Sequence, residues 1–153
     1  MTAQLILGPR PGKKSKDAIQ AQGVTHMLTL LSRREQPDSV KRIAHAIGAV
    51  WHHFPIDGGH IETLDEVDLS ALFLLYDEIA RADEDAVIYL HCSAGIHRTG
   101  FVVYLLLRYR GFSADAALAE VATLRPVTSD QVGEDRLALA ERKFQNWQAI
   151  QPA

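Results

Sequence analysis

The segment from Ala86 to Arg110 restricts the fold more than any other part of the chain. It opens with the apolar run Ala86-Val87-Ile88-Tyr89-Leu90, continues as His91-Cys92-Ser93-Ala94-Gly95-Ile96-His97-Arg98-Thr99-Gly100, and ends in a strongly apolar stretch at 101–110. This order predicts a buried strand, a tight loop and a helix. The loop would then lie at a helix N-terminus, where free backbone N–H groups and the helix dipole favour a bound anion.

The same loop carries the side chains that phosphate chemistry requires. Cys92 is the single cysteine of the chain, and at a helix N-terminus its thiol pKa is expected to fall to about 3.5–7.5, which makes it a nucleophile. Arg98 offers a planar set of donors for two phosphate oxygens, and Thr99 offers a hydroxyl to stabilise the thiolate when it leaves. The backbone between these groups is expected to enclose a tetrahedral dianion, and comprises Ser93, Ala94, Gly95, Ile96 and His97. A buried structural cysteine is the alternative interpretation.

The loop resembles the His-Cys-x5-Arg-Ser/Thr signature of protein tyrosine and dual-specificity phosphatases, with His97 where the family usually has glycine. The stretch His52-His53-Phe54-Pro55-Ile56-Asp57-Gly58-Gly59, together with Pro11-Gly12, looks most like the cyclin-dependent-kinase-associated branch of the dual-specificity phosphatases. The resemblance implies hydrolysis of phosphomonoesters through a phosphocysteine, with no cofactor and no metal. It also implies that His91 supports the thiolate.

A phosphomonoesterase of this kind also needs an acid to protonate the leaving oxygen. Asp57 lies on a glycine-flanked loop after a predicted strand, and from the residues alone an ordinary Asp-Gly turn explains it equally well. The resemblance favours the acid, because the family carries its acid on such a loop; Asp65 is the alternative, in the first turn of a predicted helix. The resemblance also implies a role for Gln131, in a loop entering the last helix, because some related phosphatases use a glutamine in this region to position the hydrolytic water; a plain solvent-facing glutamine is the alternative.

Strand-like and helix-like segments alternate along the whole chain. Strands are expected at 4–8, 24–31, 49–54 and 86–91. Helices are expected at 40–47, at 63–81 with a capping box at Thr63, from the end of the cysteine loop to Arg110, at 113–124 and at 130–148. This alternation predicts a single α/β domain over residues 1–153, with a mainly parallel sheet of about four to five strands and helices on both faces.

Composition and motif searches disfavour several other classes. The net charge of −3 gives no electrostatic case for nucleic-acid binding, and no apolar run reaches the roughly 18–20 residues that span a bilayer. A metal site is disfavoured because His52 and His53 would face opposite sides of a strand. The glycine spacing of 95–100 lacks the Lys-Ser/Thr of an NTPase loop. The lone reactive thiol predicts a reducing, cytoplasmic location, and the oligomeric state stays open.

The first expectation for the substrate is phosphotyrosine together with phosphoserine or phosphothreonine in proteins, because a chain of 153 residues lacks room for the additions that deepen the pocket of larger tyrosine phosphatases. A phosphoinositide or inositol phosphate is the alternative. The absence of lysine inside the loop weighs against it, whereas the basic cluster Lys13, Lys14 and Lys16 keeps it open; that cluster is otherwise solvated surface. A phosphate-binding adaptor with vestigial catalysis is a further alternative, although Cys92 and Arg98 are both present.

Overall fold

The computed structural model describes residues 3–152. Within them, four parallel strands form one sheet: β1 (Gln4–Gly8), β2 (His26–Thr29), β3 (Val50–His53) and β4 (Val87–His91). Their spatial order is β1-β4-β2-β3, so β4 lies inside the sheet between β1 and β2. The predicted parallel α/β arrangement is confirmed, with four strands.

The helices that connect and cover the strands vary widely in length. In the described residues they are α1 (Lys16–Ala21), α2 (Pro37–Ala46), α3 (Ile61–Asp65), α4 (Leu69–Ala82), α5 (His97–Tyr109), α6 (Ala114–Leu124), α7 (Pro126–Gln131) and α8 (Glu134–Ala149), with a 3₁₀ turn at Arg33–Glu35.

Both faces of the sheet are covered by helices. Side chains alternate between the faces along each strand, so the strands contribute to two separate cores. Ile88 and Leu90 belong to the larger core, which also contains residues of α4, α5, α6 and α8. Tyr89 and Met27 belong to a smaller core with residues of α1 and α2. Helix α5 is buried from Arg98 to Leu107, so the loop before it is anchored in the middle of the molecule. Across residues 3–152, the helices are all too short or too polar to cross a membrane.

Three predicted helix boundaries are wrong. Helix α2 begins at Pro37 instead of 40, because proline is well suited to the first position of a helix. The predicted helix at 63–81 is two helices, and the cap of the second is Asp68, whose carboxylate accepts a hydrogen bond from the Ala71 N–H at 3.1 Å. The predicted helix at 130–148 is interrupted by Gly133, whose positive φ of 95° ends α7 before α8 begins.

Candidate active site

The loop between β4 and α5 lies at the carboxyl edge of the sheet, where the strand ends gather. Gly95 adopts a positive φ of 73°, and a Cβ at this position would lie 2.2 Å from the carbonyl oxygen of Gly8. Both constraints require glycine there. The backbone N–H of Arg10 donates to the carbonyl of Ser93 at 2.8 Å, so the chain leaving β1 packs directly on the loop.

Cys92 is buried and accepts a hydrogen bond at its sulfur from the Thr99 hydroxyl, at 3.1 Å. Burial raises the pKa of the thiol, but this effect is outweighed by the hydrogen bonds from Thr99, the positive charge of Arg98 and the backbone of Ile96, so the pKa falls below its ordinary value. The loop therefore favours a thiolate, which is the reactive form of cysteine.

Arg98 is held in one orientation by Glu35. Its Nη1 and Nη2 donate to the two carboxylate oxygens of Glu35 at 2.7 and 3.0 Å, and Nη1 also donates to the carbonyl of Ile56 at 2.9 Å. The hydrogen bond from Arg98 lowers the pKa of Glu35 to about 2 against the opposing effect of burial. Both partners are thus ionised at neutral pH, and the two-point contact fixes the plane of the guanidinium.

His91 is fully buried behind the nucleophile. Its Nδ1 lies 2.9 Å from the carbonyl oxygen of Cys92, and because a carbonyl only accepts, Nδ1 must carry the proton. Its Nε2 then accepts from the Thr29 hydroxyl at 2.8 Å, and the Thr29 oxygen accepts from the indole N–H of Trp51 at 2.9 Å. Burial lowers the pKa of His91 to about 4, so the imidazole is neutral at physiological pH.

Asp57 is exposed on the segment after β3, next to the residue whose carbonyl binds Arg98. Two contacts hold this segment, one with helix α8 and one with His97 of the phosphate-binding loop. Arg136 donates from Nε to the carbonyl of Gly59 at 2.7 Å, and a Cβ at Gly59 would lie only 2.7 Å from the Cβ of His97. Asp57 therefore lies between Ile56, whose carbonyl binds Arg98, and Gly59, which packs against His97.

The alternative acid, Asp65, lies elsewhere in its helix than expected. It is the last residue of α3 instead of a residue of the first turn. Its carbonyl oxygen accepts from Lys143 Nζ at 2.6 Å, and its carboxylate lies 4.0 Å from the same nitrogen. Both contacts are with Lys143 of helix α8, so the Asp65 carboxylate lies next to that helix.

His97 and Gln131 meet at the rim of the site. His97 is the first residue of α5 and is largely exposed. Partial burial of its ring and the positive charge of Arg136 lower its pKa, while a hydrogen bond with the backbone of Gln131 acts in the opposite direction. Gln131 is exposed at the end of α7, not in a loop as expected.

Sequence reasoning missed three residues that hold the loop or its arginine. Glu35 could have been found, because a buried arginine needs a carboxylate and Glu35 completes a capping box with Ser32 just after β2. Arg125 and Thr128 donate to the carbonyl of Gly95 at 2.9 and 2.6 Å. No local pattern signals this pair.

The histidines of β2 and β3 form separate contacts. His52 Nε2 lies 3.0 Å from Nδ1 of His26, whereas His53 Nε2 lies 2.7 Å from the carbonyl oxygen of Leu31. His52 and His53 thus point to opposite faces, as expected from strand alternation. Across residues 3–152, the structure contains no group of three or more potential metal ligands.

Comparison with known proteins places this arrangement among phosphatases. A family model described as "Swiss Army Knife protein, DSP-PTPase phosphatase domain" matches residues 3–145. The fold is similar to Tk-PTP in its active form (22% identity, 95% of this chain and 93% of that chain, TM-score 0.73) and to kinase associated phosphatase, KAP (17%, 97% and 88%, 0.71). It is also similar to PTPMT1 in complex with PI(5)P (16%, 95% and 93%, 0.67). No curated protein matches the sequence.

Proposed function

The chain belongs to the DSP-PTPase family of cysteine-dependent phosphatases. We propose that it is related to the kinase-associated branch, since KAP has a similar fold, and that it hydrolyses phosphotyrosine and phosphoserine or phosphothreonine in proteins. The observation that carries the proposal is the buried Cys92 sulfur, which receives a hydrogen bond from Thr99 at 3.1 Å and lies in the field of Arg98. This environment favours a thiolate facing an anion-binding loop. The lone thiolate also leads us to propose a reducing, cytoplasmic location.

In the first step, the Cys92 thiolate attacks phosphorus. The S–P bond forms and the bond to the substrate oxygen breaks, while Asp57 gives its proton to that leaving oxygen. Arg98 and the N–H groups of the loop bind the remaining phosphate oxygens and stabilise the charge that builds up on them. Glu35 acts through Arg98, by holding the guanidinium in its plane.

In the second step, water attacks the phosphocysteine. The Asp57 carboxylate takes a proton from the water, the S–P bond breaks, and inorganic phosphate is released. Thr99 stabilises the departing thiolate through its hydroxyl. We assign the positioning of this water to Gln131, which lies at the rim beside His97. A Gln131→Ala variant should accordingly slow the second step and leave the first unchanged.

The mechanism is tested with p-nitrophenyl phosphate. Cys92→Ser should abolish hydrolysis, and the wild type should keep full activity in EDTA. Activity in the serine variant, or loss of activity with EDTA, would refute the proposal. Tight binding of phosphopeptides by the wild type without turnover would instead mean a phosphate-binding adaptor.

The role of Asp57 is tested by varying the leaving group. Asp57→Asn should lower kcat/KM, which reports the first step alone, by about 10²–10⁴-fold for an aryl phosphate whose phenol has a high pKa. The loss should shrink for aryl phosphates with more acidic phenols, because these leave without a proton. Asp65→Asn is the matched control and should have little effect on any substrate. An equal loss across all leaving groups for Asp57→Asn would mean that the carboxyl is not the acid.

A phosphoinositide or inositol phosphate substrate is the second candidate. It is favoured by Lys13 and Lys16, which line one groove with Arg10, the residue whose backbone N–H binds the Ser93 carbonyl of the loop. PTPMT1, with a similar fold, was solved with PI(5)P. The loop itself, from Ser93 to His97, contributes no lysine. Comparing kcat/KM across phosphopeptides and inositol phosphates distinguishes the two candidates.

A further inference from the structure

A groove with a strongly positive rim lies beside the phosphate-binding loop. It has a volume of about 520 Å³ and is lined by Arg10, Pro11, Gly12, Lys13, Lys16, Ser39, Arg42, Ile43 and Ala46. We call it the basic groove. Its first residue, Arg10, donates its backbone N–H to the Ser93 carbonyl at 2.8 Å, so the basic groove and the candidate active site share a wall.

The charges of the basic groove are not neutralised within the described part of the chain. Across residues 3–152, the ion pairs leave out Lys13, Lys16 and Arg42. The guanidinium of Arg10 donates to uncharged acceptors, namely the carbonyls of Glu35 and Gln36 and the hydroxyl of Ser39, the last at 2.7 Å. Four cations therefore gather along one groove of a chain whose net charge is −3, and their combined field attracts anions.

Part of the lining of the basic groove is apolar. Pro11, Ile43 and Ala46 line it together with the four cations. An occupant that matches both kinds of lining has carboxylates for the cations and at least one apolar side chain for these three residues. An acidic peptide segment has this combination, whereas an inositol polyphosphate offers anions and no apolar group.

We propose that the basic groove binds acidic residues that flank the phosphorylated residue of a protein substrate. The inference rests on the proposed function and names the class of protein that the enzyme selects. Binding at the rim would lower KM, because exposed charges mainly assist association and orientation. It would leave the rate of the chemical step nearly unchanged.

Two phosphotyrosine peptides test the proposal. One carries glutamate and aspartate on both sides of a leucine next to the phosphotyrosine, and the other carries glutamine and asparagine at the same positions. The wild type should show a kcat/KM about tenfold higher for the acidic peptide at low ionic strength, since each exposed charge pair contributes modestly. The preference should shrink as salt is added.

Charge reversal at the basic groove supplies the matched comparison. Lys13→Glu/Arg42→Glu should remove or invert the preference. Lys41→Glu/Arg142→Glu changes the net charge equally and should keep it, because Lys41 lies over the Trp51 ring and Arg142 is exposed on α8. Both variants should hydrolyse p-nitrophenyl phosphate at the wild-type rate.

Three results would overturn the inference. These are equal kcat/KM for the two peptides, an equal effect of the two double variants, or a groove variant that loses activity toward PI(5)P while keeping its peptide preference. If p-nitrophenyl phosphate is not hydrolysed at all, the proposed function fails. The groove is then tested separately by fluorescence anisotropy of the acidic peptide, whose affinity must fall in Lys13→Glu/Arg42→Glu and not in the control.

Discussion

The hydrogen bond from Thr99 to the Cys92 sulfur allows a quantitative prediction. Thr99 is fully buried, and its hydroxyl donates its single hydrogen to the sulfur at 3.1 Å. A hydrogen bond to a charged group contributes roughly 1.5–3 kcal/mol. Thr99→Val keeps the shape of the side chain and removes the donor, so it should destabilise the thiolate by about that amount and raise the pKa of the Cys92 thiol.

The pKa is measured from the rate of alkylation by iodoacetamide as a function of pH, because only the thiolate reacts. Thr99→Ser retains the hydroxyl and serves as the control, with a profile close to that of the wild type. If the valine and wild-type profiles coincide, the hydrogen bond does not stabilise the thiolate. If the serine variant shifts as far as the valine variant, the effect comes from packing.

The same substitution should also change the kinetics of the second step. A thiolate without its hydrogen bond is a poorer leaving group, so the phosphocysteine should break down more slowly than it forms. Thr99→Val should then show a burst of p-nitrophenolate in stopped-flow measurements. Absence of a burst, with an overall slow reaction, would place the effect on the first step alone.

Two further predictions follow from charged and buried groups around the loop. Glu35→Gln removes the charge that orients Arg98. It should lower kcat/KM for p-nitrophenyl phosphate by about 100-fold, since misplacing a catalytic group by about 1 Å costs that much. An unchanged kcat/KM would mean that the other contacts of Arg98 are enough to orient it. His91 has a pKa of about 4 in the folded protein, against 6.5 for an unperturbed histidine. Below pH 6.5 the unfolded state therefore binds more protons than the folded state. The free energy of unfolding should fall by roughly 3 kcal/mol between pH 6.5 and 4. Urea titrations should show this slope reduced in His91→Gln and unchanged in a variant of the exposed His45, and a slope unaffected by His91→Gln would refute the assignment.

The parts of the molecule that could be predicted from sequence are local. The strand, loop and helix from β4 to α5 lie within one continuous segment, and the apolar runs on either side restrict how it folds. The contact between Thr99 and Cys92 is similarly short in sequence and is found as expected. Helix boundaries were less predictable, because Gly133 splits a segment whose apolar spacing is continuous.

The parts that could not be predicted join distant segments. Glu35 lies 63 residues before Arg98, and Arg125 lies 30 residues after the loop carbonyl that it binds. Such pairs depend on strand order, and the order β1-β4-β2-β3 is not written in any local pattern. A need for a carboxylate near Arg98 could be inferred, but the choice of Glu35 required the neighbouring position of β2.

Strand order also explains how the proposed acid is coupled to the nucleophile. The segment after β1 contacts the loop directly through Arg10, and β2 contacts it through Thr29 and His91. Strand β3 lies one place further out, so the segment that follows it cannot pair with β4. It reaches the site instead through Arg98, which binds the carbonyl of Ile56 while Glu35 holds the same guanidinium. The arginine that would bind phosphate thus also fixes the residue preceding Asp57, and a change in its orientation would displace the phosphate site and the acid together.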